Sequence, residues 1–133
     1  MNILELKTKL CDFFANKLNL EVDKTIFECP LDESVNDGLG LIINGMPSNN
    51  RPNISTLDLQ LLGRYNTLDD ALIISEKFKK FLPHYDTEFS ILFATGVAVY
   101  PTSNKGKRVY AVSINLKIKC KKIKRINKLS YKN

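Results

Sequence analysis

Few side chains in this chain could move a proton or activate a nucleophile. The single histidine, His84, follows Pro83 in a polar connection, His84-Tyr85-Asp86-Thr87-Glu88. Hydrolysis and group transfer need a nucleophile with a base in reach, and a lone surface histidine beyond a helix-ending proline supplies neither. Asp69, Asp70 and Glu76 fall on a predicted helix, where Asp70 is explained by a cap and Asp69 by the helix dipole. Asp86 and Glu88 share a strand parity, but two carboxylates without a histidine or a glycine-rich phosphate loop make a poor metal site. Gly38-Leu39-Gly40 lacks the third glycine and the following helix of a dinucleotide-binding fingerprint. Cys11, Cys29 and Cys120 are far apart and odd in number, with no metal spacing and no disulfide framework, and read as buried thiols of a cytosolic protein. The expectation is a protein that is not an enzyme and takes no cofactor.

The chemistry that is present is cationic. Lys117, Lys119, Lys121, Lys122, Lys124, Arg125 and Lys128 make a basic stripe, with Lys105, Lys107 and Arg108 on the loop before the same predicted strand. Such a stripe binds phosphates with a steep salt dependence. It lacks the interleaved aromatics that stack single-stranded bases, Tyr131 standing alone. It equally suits an acidic surface on a partner or on another copy of the chain. Residues 1–88 hold nine basic and 14 acidic side chains, a net −5, whereas residues 89–133 hold 11 basic and none acidic, which gives the overall +6. Opposite charge at two ends suits head-to-tail contact, and such contacts close into rings when the rotation permits.

The elements that must carry these residues fit one domain of 133 residues, 44% apolar. No apolar run approaches the roughly 20 residues that span a bilayer, and the opening Met-Asn-Ile-Leu-Glu-Leu-Lys does not read as a signal peptide. The organising stretch is 54–82. Leu57, Leu59 and Leu61 alternate with polar neighbours as in a half-buried strand, and Gly63-Arg64-Tyr65-Asn66 turns a corner. Thr67 then caps a helix whose apolar stripe is Leu68, Ala71, Ile74, Phe78, Phe81 and Leu82, stopped by Pro83. Ile73 points away from that stripe and is a natural subunit contact in an oligomer.

Before this pair, residues 3–18 read as an amphipathic core-packing helix, 25–31 as a short strand limited by Pro30, and 38–43 as another strand. Residues 45–53, with two prolines, a glycine and three asparagines, read as an irregular loop. After it, 89–100 is a strand with one bulky face and one small face. Residues 101–107 form a hairpin loop, and 109–120 is the most regular strand, its outer face passing from small to cationic. The predicted fold is an α+β domain over residues 1–120. Its sheet is mostly antiparallel, with four to five strands and two helices packed against it, in the order α-β-β-β-α-β-β. A basic, weakly patterned extension follows over 121–133.

A strand leading into Gly45-Met46-Pro47 and a loop reaching Pro52 comes first. An alternating strand, a polar corner and an alanine-bearing amphipathic helix over 57–82 follow, then two long strands joined by a polar loop. The whole resembles the tail terminator and minor capsid proteins of long-tailed bacteriophages. The nearest cues are Leu59-Gln60-Leu61-Leu62-Gly63-Arg64-Tyr65 with Asp70-Ala71, and Tyr110-Ala111-Val112-Ser113-Ile114-Asn115-Leu116; the likeness covers about residues 3–120. It implies a structural virion protein made in the bacterial host cytoplasm. Such a protein forms a homo-oligomeric ring, usually a hexamer, at the tail–head junction. The ring caps the tail tube, stops its polymerisation, docks to head connector or adaptor proteins and lets DNA pass through its lumen, with no membrane involved. On this resemblance Gly45, Met46, Pro47, Asn49, Asn50, Arg51 and Pro52, and the loop over 101–108, are candidate contacts between rings. The alternatives are a nucleic-acid-binding domain using the basic stripe and a head-completion or connector-adaptor protein.

Overall fold

The computed structural model describes residues 2–51, 53–86 and 88–124, and the side chains among them except those of 46–51 and 92–95. The chain forms α1 (Ile3–Leu18), β1 (Ile26–Phe27), β2 (Gly38–Arg51), β3 (Ile54–Tyr65), α2 (Leu68–Phe81), β4 (His84–Tyr85), β5 (Phe89–Asn104) and β6 (Lys107–Lys121). One six-stranded sheet has the order β1-β2-β3-β6-β5-β4, antiparallel except for the short β1–β2 pair. The α+β class and the helix boundaries agree with the sequence pattern. The strand count exceeds the expected four to five, because His84-Tyr85 pairs with Ser90-Ile91 as an extra edge strand instead of running as a polar connection.

Both helices lie on one face of the sheet. Asn2 starts α1, its Oδ1 accepting from the Glu5 N–H at 2.9 Å, and Asn19 ends it in the left-handed region at φ 56°. Thr67 caps α2 by accepting from the Asp70 N–H at 3.2 Å. Leu6, Leu10, Phe14 and Leu18 of α1 meet Ala71, Ile74 and Phe78 of α2 over the inward row Leu57, Leu59, Leu61, Val112, Ile114, Leu116 and Ile118. Leu68, placed in the apolar stripe by its spacing, is 45% exposed: it occupies the first helical position, before α2 has settled onto the sheet.

The strands run further than their composition suggests. Gly63 to Tyr65 continue β3, paired with Val112 to Tyr110 of β6, so the corner shrinks to Asn66. The expected loop over 45–53 is strand as far as Arg51. β2 pairs with β3 through Asn44↔Asp58, Ser48↔Thr56 and Arg51↔Ile54, and the register shifts between them mark bulges, with Gly45 at φ 77°. Pro47 is compatible with this because that part of β2 has no strand on its other side among the described residues. Likewise β5 and β6 extend to Asn104 and Lys107, leaving Lys105-Gly106 as a two-residue turn with φ 53° and 78°, the conformation that favours glycine in tight hairpins. Two single-residue bulges in β5, between Ile91 and Phe93 and between Ala94 and Gly96, cancel each other. Val97 and Val99 therefore stay on the helix side and Gly96 and Ala98 on the outer side.

The outer face is divided. Between β1 and β2 the chain crosses it as a strap over residues 28–37. Arg64 anchors the strap by donating from Nη2 to the carbonyls of Asp32 and of Val35 (3.1 Å to the latter). Asn104 Nδ2 donates to the Glu33 carbonyl at 2.8 Å. Val109 and Ala111, on the outward parity of β6, are buried at this end, whereas Ser113, Asn115, Lys117 and Lys119 further along are half-buried.

Tyr65 closes the core beneath α2 at 6% exposure, and its buried hydroxyl has no hydrogen-bond partner among the described residues. Burial first, then the charges of Asp37 and Asp70, push the phenol above its ordinary pKa. A buried hydroxyl left unpaired costs stability, so Tyr65→Phe is expected to stabilise the fold by about 1 kcal/mol. A higher urea midpoint at unchanged slope would show this, whereas a lower one would reveal an interaction that the hydroxyl makes.

Candidate functional site

Several of the residues with catalytic chemistry take part in packing and pairing. His84 lies against Phe13, ring centroids 4.4 Å apart, and Phe89 at 6.0 Å. Its Nε2 is buried without hydrogen-bond geometry to Asp86, whose Oδ2 stands 3.5 Å away. Glu76 pairs with Lys79 at 3.3 Å and Glu88 with Lys9 at 3.0 Å. Burial, followed by Glu28, Asp12 and Asp23, pushes the Cys11 thiol up to about 11, and burial raises that of Cys120. Both are poor nucleophiles at neutral pH. Cys29, expected among the buried thiols, is exposed, because it lies on the strap. Among the described residues no group of three or more His, Cys, Asp or Glu side chains is placed to hold a metal ion. No helix among them is long and apolar enough to cross a membrane.

The basic stripe divides in space. β6 traverses the whole sheet, so Lys105, Lys107 and Arg108 at its start lie roughly 45 Å from Lys121 at its end, at ~3.3 Å per residue. The first group sits beside the acidic strap. Hydrogen bonds from Ser34 hold the Asp32 carboxyl below its ordinary pKa, assisted by the charges of Lys105 and Arg64. Lys107 Nζ reaches Asn66 Oδ1 at 3.4 Å. The second group, Lys117, Lys119, Lys121, Lys122 and Lys124, gathers at the opposite end, where Lys117 Nζ is 3.8 Å from Asp58 Oδ1. Arg125 and Lys128 lie outside the described residues. The −5/+11 division of the sequence is therefore softened in the fold, since the turn at Lys105 and the start of β6 with Lys107 and Arg108 bring three cations to the acidic end.

The chain after β6 is tied to the body as far as residue 124. The Lys122 N–H donates to the Asn53 carbonyl at 3.0 Å and the Ile123 N–H to Ser55 Oγ at 2.8 Å, and Ile123 is buried. An alternating strand pattern that ends in consecutive lysines gives no hint of this anchor, which depends on a serine 68 residues earlier. Arg64 is likewise a structural residue that sequence reasoning placed only in a corner, and on an outward row that already holds Thr56, Asp58 and Gln60 a further polar side chain gave no signal.

The remaining candidates lie on surfaces. Ile73 is 54% exposed, and Leu68 and Leu72, at 45% and 46%, extend an apolar strip along α2. Gly45 sits at a bulge in β2; the side chains of Met46, Pro47, Asn49, Asn50 and Arg51 lie outside the described residues, as does Pro52 altogether. β1 pairs with β2 only at Leu39 and Gly40, and β4 with β5 only at Ser90 and Ile91. Among the described residues, the outer edges of β2 beyond Gly40 and of β5 beyond Ile91 thus have no strand partner.

The chain matches no protein-family model and no curated protein. The two open edges, the apolar strip on α2 and the split charge are the features on which a functional reading must stand.

Proposed function

We propose that the chain is a structural subunit that works as a ring of identical copies, in the manner of a bacteriophage tail terminator that caps the tail tube and docks to the head connector. The observation that carries this reading is the pair of long, largely unpaired edges on β2 and β5. An open edge is a template for pairing. Here both edges carry a proline and bulges, devices that hold off indiscriminate pairing while leaving a shaped surface for a specific neighbour. The element order and two long hairpins, β2–β3 and β5–β6, support the resemblance in sequence pattern. Leu68, Leu72 and Ile73 supply an apolar contact for the adjacent copy, and the acidic strap and the lysine-rich end lie at opposite ends of the outer face, a separation that head-to-tail packing can use. The bulged β2–β3 hairpin and the Lys105-Gly106 turn lie at opposite ends of the sheet, where contacts to tube and connector proteins would be made.

Native mass spectrometry across protein concentration and salt, with and without tail tube protein, tests the reading. The expected result is a closed ring, a hexamer above all, formed alone or on contact with the tube. A strict monomer under every one of those conditions would refute it.

A further inference from the structure

At the end of the outer face that the strap leaves open, β6 places a lysine at every second position. Lys117, Lys119 and Lys121 lie on one side of the strand while Ile118 and Cys120 are buried on the other. Same-face neighbours on a strand are about 7 Å apart, comparable to the separation of successive phosphates along a nucleic-acid strand. Lys122 and Lys124 continue the series on a segment fixed by the hydrogen bonds to Asn53 and Ser55, so the cations are held in place instead of trailing freely.

We infer that this lysine ladder seats the phosphodiester backbone of double-helical DNA without regard to sequence. Around Lys119 the flanking outward positions are polar: Thr56 and Ser90 stand opposite it, and Asn115 precedes Lys117 on the same face, whereas Ile54 pairs with Lys121 and Phe93 with Lys117. The polar positions leave room for a backbone to approach Lys119. The carboxylates nearby are weak competitors. Asp58 makes a long, exposed pair with Lys117, and Glu88 is engaged by Lys9. Asp86 borders the cleft of about 300 Å³ that Lys119 and Lys121 share with Tyr85 and Glu88. Tyr85, 70% exposed, is a single stacking surface beside the ladder, short of the successive aromatics on which single strands are bound. The inference does not require the ring, since a monomer carries the complete ladder.

The test is binding of a short labelled duplex to the full chain by fluorescence anisotropy between about 50 and 200 mM salt. Each phosphate neutralised contributes about −0.9 to the slope of log affinity against log salt. The triple variant Lys117→Gln/Lys119→Gln/Lys121→Gln is expected to flatten the slope by about 2.7. Lys105→Gln/Lys107→Gln/Arg108→Gln removes the same charge from the opposite end and is expected to leave the slope unchanged. Should the ladder variant lose its circular dichroism signature, Lys119→Gln alone is expected to flatten the slope by about 0.9. No binding by the unaltered chain, equal losses in the two triple variants, an unchanged slope in the ladder variants, tighter binding of single strands, or equal binding of polyglutamate would each overturn the inference.

Discussion

Phe78→Ala is expected to lower the free energy of unfolding by about 3–5 kcal/mol, the usual cost of removing a fully buried aromatic ring. Phe78 has no exposed surface and stands where the two helices and the sheet meet. Its ring centroid is 5.5 Å from that of Phe14 on α1 and 5.3 Å from that of Phe81 on its own helix. Phe13 joins the same cluster through Phe14, Phe81 and Phe89. Truncation would forfeit the transfer free energy of the ring and its aromatic contacts. It would also leave a cavity that a helix pinned at both ends by Thr67 and the β4 pairing cannot readily collapse. Domains of this size are stable by only about 5–15 kcal/mol, so the variant should sit near its unfolding midpoint on modest warming. A urea titration would read the loss as a shift in midpoint with little change in slope. A cost below about 1.5 kcal/mol, the level of a volume-conserving swap, would mean that the helix layer is packed otherwise than described.

Gly40→Ala is expected to cost about 1–3 kcal/mol, a large effect for one added methyl group. A Cβ at residue 40 would stand 2.6 Å from the Cys29 carbonyl oxygen and 2.9 Å from the Leu31 nitrogen. Both are backbone atoms of the strap, so no side-chain rotation relieves the clash and the strap itself must lift. The strap's hydrogen bonds to Arg64 and Asn104, and the burial of Val109 and Ala111, would weaken with it. Hydrogen exchange should accelerate over residues 28–37 and leave α1 and α2 protected. Uniform acceleration across the chain, or none, would show that the strap is not a separable layer over this glycine.

The two helices and the regular strands were legible because their signals are local. The apolar spacing from Ile3 to Leu18, the Thr67 cap and the alternation from Tyr110 to Cys120 each report a face that is buried in the fold. The same logic failed at residues 45–51, where Gly, Pro and Asn were read as loop. On an edge strand a proline has no ladder bond to lose and a glycine serves a bulge, so residues that break a central strand are tolerated there. β4 was too short to show a period, and its pairing with β5 lies in the partner's register. The strap was invisible because its anchors, Arg64 and Asn104, lie 29 and 71 residues from the carbonyls they reach at Val35 and Glu33. The candidate surface was half legible. The cations were obvious in number, but a charge count along the chain cannot reveal that one strand carries them to both ends of a sheet.

The parallel bridge between Asn2 and Lys124 has a practical consequence. It brings the beginning of α1 and the segment after β6 to the same end of the molecule, the end that carries the lysines. A purification handle or fluorescent protein fused ahead of residue 2 or grafted after residue 124 would therefore crowd that one surface, whichever position is chosen. The Lys105-Gly106 turn, at the far end of the sheet and with open space around Gly106, is the insertion point that leaves it clear.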